Sequence, residues 1–120
     1  MNKYLSIVEY RNQKILLANH QNQNTQEIID SIKQTEQLIV KMNSDNILLI
    51  VDISNCEMNQ EVVSQFKATA KIIRPFIKRA AVIGVKGVLK VSLIAINKFS
   101  SIQARSFNSL DEAKEWLTSK

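Results

Sequence analysis

Few residues of this 120-residue chain could do nucleophilic, acid–base or metal chemistry, since it has one histidine, His20, and one cysteine, Cys56. One histidine excludes a histidine-based metal cluster, and the two residues would form a nucleophile pair with no identifiable third group to orient it. Residues 84–87, Gly-Val-Lys-Gly, lack the glycine spacing and the lysine-hydroxyl pair of a phosphate-binding P-loop. We therefore predict a protein that is not an enzyme and has no cofactor and no metal site.

Polar residues that could bind a ligand or partner follow the two most apolar segments. Residues 47–51 and 80–85 are apolar on both alternating faces, which is typical of strands buried on both sides. The helix predicted between them requires parallel strands, whose carboxyl ends share the sheet edge where ligands usually bind. The candidate binding residues there are Asp52, Ser54, Asn55, Cys56, Glu57, Gly84, Lys86 and Gly87. The alternative is that Asp52 and Ser54 only satisfy backbone groups of their loop.

The net charge of +5 is unevenly distributed along the chain. Residues 62–110 contain nine Lys and Arg residues and no acid, whereas the rest holds seven basic and eleven acidic residues. This asymmetry predicts attraction to an anionic partner such as an acidic protein, a phosphate or a lipid headgroup. The alternative is a basic surface that is only solvated.

Two basic features stand out on the predicted helices. If the second helix continues past Pro75, its i, i+4, i+7, i+11 spacing forms one basic stripe of Lys67, Lys71, Arg74 and Lys78. On the third helix, an isoleucine outside the apolar arc lies between two lysines, giving a surface contact of Lys90, Ile94 and Lys98 for a membrane surface or an acidic partner. Nucleic acid is not expected as a partner, because no aromatic residues interleave with the stripe and no reading helix is identifiable.

Strands and helices alternate in a pattern that predicts one α/β domain over residues 1–120, with five strands and four helices. Thr25, Asn59 and Ser109 are the expected helix caps, the last in a capping box with Glu112. Pro75 should end or kink the second helix. The predicted strands are a hairpin at 4–10 and 14–18 followed by parallel strands at 47–51, 79–85 and 102–107, and the helices begin near residues 25, 60, 88 and 110.

Residues 79–85 (RAAVIGV), 87–90 (GVLK), 95–99 (AINKF) and 107–117 (FNSLDEAKEWL) resemble the small bacterial SpoIIAA-like, STAS-type proteins, which are related in fold to lipid-carrying CRAL-TRIO domains. The resemblance implies a sheet wound as a β/α superhelix and a regulatory or ligand-binding role. In the anti-sigma-factor antagonists of this group, a phosphorylatable serine lies within an Asp-Ser-Ser-Gly stretch. Here Val-Asp-Ile-Ser at 51–54 keeps the strand end, but residues 55–61 supply neither that serine nor the glycine.

Two functions remain open. We favour a STAS-like regulatory module that docks another protein through residues 52–58, the second helix and the 84–87 loop. The alternative is a binder of a lipid or other small apolar ligand, which could act at a membrane surface. A homodimer is a further hypothesis, because the doubly apolar strands need cover on both faces. The lone cysteine and the lack of an apolar leader or membrane span predict a cytoplasmic protein.

Overall fold

The computed structural model describes residues 4–85 and 104–119, which form one five-stranded sheet with helices on both faces. The strands are β1 Leu5–Tyr10, β2 Gln13–Asn19, β3 Ile47–Asp52, β4 Ile77–Ile83 and β5 Ala104–Phe107. The α-helices in these ranges are α1 Thr25–Met42, α2 Gln60–Ile73 and α3 Leu110–Leu117. The helix predicted at 88–99 lies outside the described residues, so three of the four predicted helices are seen.

The sheet is mixed, with strands in the order β1-β2-β3-β4-β5. Only β1 is antiparallel to its neighbour, whereas β2, β3, β4 and β5 are parallel to one another. The prediction that the two doubly apolar strands lie side by side and point the same way is therefore confirmed. Strand β2 also runs beside β3, so four neighbouring strands, β2 to β5, end at the same edge of the sheet.

Local sequence explains the hairpin and the start of α1. Arg11 and Asn12 have φ angles of 52° and 64°, which give the two-residue turn whose twist matches paired strands. Thr25 was predicted to cap α1, but it is the first residue of the helix. Asn24 caps the helix instead, because its side chain accepts from the Glu27 backbone N–H while Glu27 bonds back to the Asn24 N–H, which satisfies two free donors.

Helix α2 begins after Asn59, whose side chain accepts from the Val62 N–H at 3.0 Å, as predicted. It ends at Ile73, because Pro75 follows within a 3-10 turn at Arg74–Phe76. The basic stripe was predicted on the condition that the helix continued, and that condition is not met. Lys78 lies in strand β4 instead, so the four basic residues do not share one helix face.

Both faces of the sheet are covered within the chain. Helices α1 and α2 pack on one face through residues such as Ile39 and Ala70, which meet Leu49 and Ala80 of the sheet. Helix α3 packs Ala113 and Leu117 on the other face, where they contact a cluster of Ile15, Leu48, Ile50, Ala81 and Ile83. Helices therefore lie on both faces of the sheet in the described part of the chain, and the homodimer stays a prediction.

None of the helices within residues 4–85 and 104–119 is both long enough and apolar enough to cross a bilayer.

Candidate functional site

Strands β2, β3 and β4 end in register at one edge of the sheet, where Asn19, Asp52 and Ile83 are neighbours. The loops that follow them, residues 20–24, 53–59 and 84–85, form a surface called here the rim. Backbone bonds join these loops to the neighbouring strands: the His20 N–H donates to Asp52 O at 2.8 Å, and the Ile53 N–H donates to Ile83 O at 2.9 Å. The structure places Ser54 against Gly84, so the loops that follow β3 and β4 adjoin in the described residues, and loop 20–24 joins them.

Asp52 and Ser54 hold the loops of the rim together. Asp52 is buried, and its carboxylate accepts hydrogen bonds from the Ser54 backbone N–H and from the Gln21 side-chain amide. Gly84 has a φ of 88°, and a Cβ on it would lie 2.6 Å from Ser54 Oγ and 2.7 Å from both Ser54 Cα and N. Only glycine fits there, because its neighbour is main chain that cannot move aside. Asp52 thus organises its own loop through the Ser54 N–H and joins it to loop 20–24 through the Gln21 side chain.

Asn55 and Glu57 bond across to the loop that follows β2. The Asn55 amide donates to Asn22 Oδ1 at 2.8 Å, and both asparagines have left-handed backbones with φ of 59° and 64°. The Glu57 carboxylate accepts from the Thr25 N–H at 2.7 Å at the positive end of α1. The Asn59 amide adds a 2.7 Å bond to Thr25 Oγ1. These cross-loop bonds hold the exposed Asn22 and Asn55 in place.

Cys56 and His20 come together, but not as a nucleophile and a base. The Cys56 thiol donates to the backbone carbonyl of His20, while the His20 ring lies edge-on to Phe66 with centroids 6.4 Å apart. Burial lowers the pKa of His20 to about 4, although the Gln23 amide and the Asp52 carboxylate raise it. Burial raises the pKa of the Cys56 thiol. The neutral forms are favoured for both residues, which is the reverse of a thiolate–imidazolium pair.

Residues 20–24 are all polar in sequence, yet His20 and Gln23 are buried, at 1% and 4% exposure. Their burial could not be read from the sequence, because it arises when β2 lies beside β3 and the side chains of His20 and Gln23 turn into the protein. The Gln23 amide donates to Ser31 Oγ at 2.9 Å. Two buried polar atoms, His20 Nδ1 and Gln23 Oε1, make no hydrogen bond of good geometry among the described residues, although the Gln23 side chain lies close enough to raise the pKa of His20.

A mostly apolar cavity of about 100 Å³ lies under the rim, between the sheet and helices α1 and α2. Its polar lining residues are His20, Thr35 and Thr69, and Val85 and Ala104, which border residues 86–103, also contribute. The remaining lining residues are aliphatic or aromatic: Ile32, Leu49, Val51, Ile53, Phe66, Ala70, Ile73, Ala80 and Val82. At about 100 Å³ it is smaller than an engineered apolar cavity of roughly 150 Å³ that binds benzene, so the space suits only a small apolar group.

The predicted basic residues lie away from the rim. Lys67, Lys71 and Arg74 follow α2 from its middle to beyond its end, and all are exposed. Because a helix of 14 residues spans roughly 21 Å, Arg74 lies at the opposite end of α2 from the rim. Lys86, Gly87 and the predicted surface contact of Lys90, Ile94 and Lys98 lie outside the described residues.

On the α3 face, sequence reasoning missed an aromatic–cationic cluster. The guanidinium groups of Arg79 and Arg105 lie 5.4 and 5.5 Å from the centre of the Trp116 ring. Arg79 also donates to the carbonyl oxygens of Trp116 and Ser119 at 2.8 and 3.0 Å, which stabilises the end of α3. This role is structural.

In the part of the chain that is described, no three metal-binding side chains come together.

Comparison with known proteins identifies a family and a fold. The profile of the SpoIIAA-like family matches residues 15–118. A crystal structure of an uncharacterised protein of the DUF3478 family from Shewanella loihica PV-4, described as having a SpoIIAA-like fold, superposes with a TM-score of 0.70. The two chains share 15% identity, and the similarity covers 94% of this chain and 91% of the other, so it shows the fold alone. No curated protein matches the sequence.

Proposed function

Because this chain belongs to the SpoIIAA-like family, we propose that it is a regulatory module that binds another protein and catalyses no reaction. The observation that carries this proposal is the cross-bonded rim, which presents exposed Asn22 and Asn55 on fixed backbones. A surface ordered before binding loses less conformational entropy when a partner docks. The opposed pKa shifts of His20 and Cys56 also favour a role other than catalysis.

Regulation through a phosphorylated serine is not part of this proposal. Ser54 is the one hydroxyl residue between Asp52 and Asn59, and its Oγ and backbone lie directly against Gly84. A phosphate on Ser54 would need space and hydrogen-bond donors. The main chain of Gly84 lies on one side of Ser54, and the backbone N–H of Ser54 already donates to the Asp52 carboxylate. The partner would therefore recognise the unmodified rim.

Site-specific photocrosslinking in host cells tests the docking surface. A photoreactive side chain at Asn55 should crosslink a partner protein, and Asn55→Arg should abolish partner capture. The matched control is Asn12, which also has a positive φ, 64°, but lies in the hairpin turn at the opposite edge of the sheet, roughly 20 Å away. Equal crosslinking from both positions, or capture that survives Asn55→Arg but is lost in Asn12→Arg, would contradict docking at the rim.

The second candidate is binding of a small apolar ligand, and the cavity favours it. Ala70 of α2 lines the cavity, whereas Ala68 of the same helix is exposed. Native mass spectrometry of the purified chain should detect a bound small molecule that Ala70→Leu displaces by filling space and Ala68→Leu leaves in place. A chain that carries no added mass and takes up no apolar probe would exclude this candidate and leave the docking proposal intact.

A further inference from the structure

Strand β1 is an open edge of the sheet, because within the described residues it pairs with β2 alone. The Asn19 N–H donates to Tyr4 O at 2.8 Å, which shows which residues of this edge turn their backbone groups towards β2. Hydrogen bonding alternates along an antiparallel pair, so every second residue from Tyr4 onwards faces β2. The backbone N–H and C=O groups of Leu5, Ile7 and Glu9 therefore point away from the sheet and are available to another strand.

Strand β1 lacks the features that usually keep an edge strand from pairing. Protected edges are very short, contain proline or lysine, or are interrupted by a bulge. Strand β1 has six residues with one charge, Glu9, no proline and no register shift against β2. The side chain of Ile7 is 46% exposed on this edge. By contrast, β5 at the other edge of the sheet has four residues and carries Arg105.

We propose that β1 pairs with β1 of a second copy of this chain, antiparallel and related by a twofold axis between the two Ile7 residues. In this register Ile7 lies opposite its own equivalent, and Leu5 lies opposite Glu9 of the partner subunit. Every outward backbone group of the three residues then has a partner, because opposed residues exchange both of their hydrogen bonds. The exposed Ile7 side chain also packs against its equivalent.

The charge of the strand fits a second copy and selects this register. Glu9 lies beside Lys14 of its own hairpin and opposite Leu5 of the partner subunit, so no like charges are opposed. A twofold axis at Glu9 would place two carboxylates directly opposite each other, which is destabilising. An axis at either end of the strand would also leave outward backbone groups unpaired.

The pairing leaves the rim accessible. The rim lies at the carboxyl ends of β2, β3 and β4, whereas β1 is the lateral edge of the sheet. Because the two copies run antiparallel, their rims would lie at opposite ends of one continuous sheet. The inference does not depend on docking at the rim or on ligand binding in the cavity, and it adds that one dimer presents two separated rims.

Sedimentation velocity of the full chain over the micromolar range tests the pairing. A dimer of micromolar affinity is expected, because two six-residue strands bury less surface than a typical stable interface. Ile7→Lys removes the apolar contact and opposes two like charges, so it should weaken association roughly tenfold or more. The matched control is Ile72→Lys, which changes an isoleucine of similar exposure, 48%, on α2 and should leave association unchanged.

Two further measurements do not depend on the folding of Ile7→Lys. In the wild type, hydrogen exchange of the Leu5, Ile7 and Glu9 amides should slow as protein concentration rises. In a Cys56→Ser background, Ile7→Cys should form a disulfide between copies, because opposed Cα atoms of a bonded pair are about 5.5 Å apart. Glu9→Cys should not, because its two copies would lie roughly 14 Å apart.

A chain that stays monomeric over this range would overturn the proposal. So would a dimer in which these amides exchange freely, or one that survives Ile7→Lys and is lost in Ile72→Lys. These results leave the tests of the rim and the cavity unaffected. A photocrosslink from Asn12 to a second copy is distinguished by its mass from a crosslink to another protein.

Discussion

Lowering the pH from about 7 to about 5 should destabilise this protein through its buried His20. The ring is 1% exposed, and burial lowers its pKa from 6.5 to about 4. An unfolded chain therefore takes up a proton on His20 in a pH range where the folded chain stays neutral. Stability contributed by the neutral ring is present above pH 6.5 and is lost as the pH falls towards 4.

The size of the effect follows from the two pKa values. One pKa unit corresponds to about 1.4 kcal/mol, so the full effect of the shift is about 3 kcal/mol. Between about pH 7 and about pH 5 the expected loss is about 2 kcal/mol of unfolding free energy. His20 is the only histidine of the chain, and Asp and Glu titrate mainly below this range, so His20 should dominate the change.

Urea unfolding of the wild type and of His20→Leu at both pH values measures this contribution. The wild type should lose about 2 kcal/mol more than the variant over the interval, because contributions from carboxylates are common to both proteins. A direct check is the NMR titration of the single imidazole, which should have its midpoint near 4. Equal pH dependence of the two proteins, or a midpoint at 6.5 or higher, would refute the inferred burial of the ring.

Three further predictions concern the rim. Gly84→Ala should cost at least about 2 kcal/mol by urea unfolding, and adding Ser54→Ala should not restore stability, because Ser54 N and Cα remain in contact with the new Cβ; full rescue would contradict this. Asn59→Ala should cost about 1 kcal/mol, and Asn59→Ser, which keeps the cap of α2 but loses the bond to Thr25, should cost less; equal losses would argue against the cap. Cys56 should react with iodoacetamide more slowly than free cysteine at about pH 8, and a faster reaction would show that its pKa is not raised.

Much of the fold was predictable because it depends on short-range patterns. Asn59 and Ser109 cap helices where their side-chain oxygens can reach nearby backbone N–H groups, and Pro75 follows the end of α2 because it cannot donate. The predicted cap of α1 was wrong by one residue, because Asn24 and Thr25 are both residue types that cap helices. The reciprocal bond with Glu27 decides between them.

The candidate site was predictable only in part. Parallel pairing of β3 and β4 could be inferred from their apolar runs and the helix between them, and it brings Asp52 and Ser54 beside Gly84. Residues 15–18 of β2 are also an apolar run, and α1 connects β2 to β3. This pattern likewise predicts parallel pairing, which places loop 20–24 at the same edge. That signal was overlooked because the loop is strongly polar in sequence.

The kind and order of the elements, the SpoIIAA-like resemblance and the concentration of positive charge between residues 62 and 110 can all be read from the linear sequence. Three features appear only in the folded chain: His20 is buried, Ser54 contacts Gly84, and Lys78 lies in β4, apart from the basic residues of α2. Caps, turns and periodic apolar faces act over a few residues and are visible in a linear chain. Burial and cross-loop bonds form between residues that are distant in sequence, so they exist only once the strands have paired.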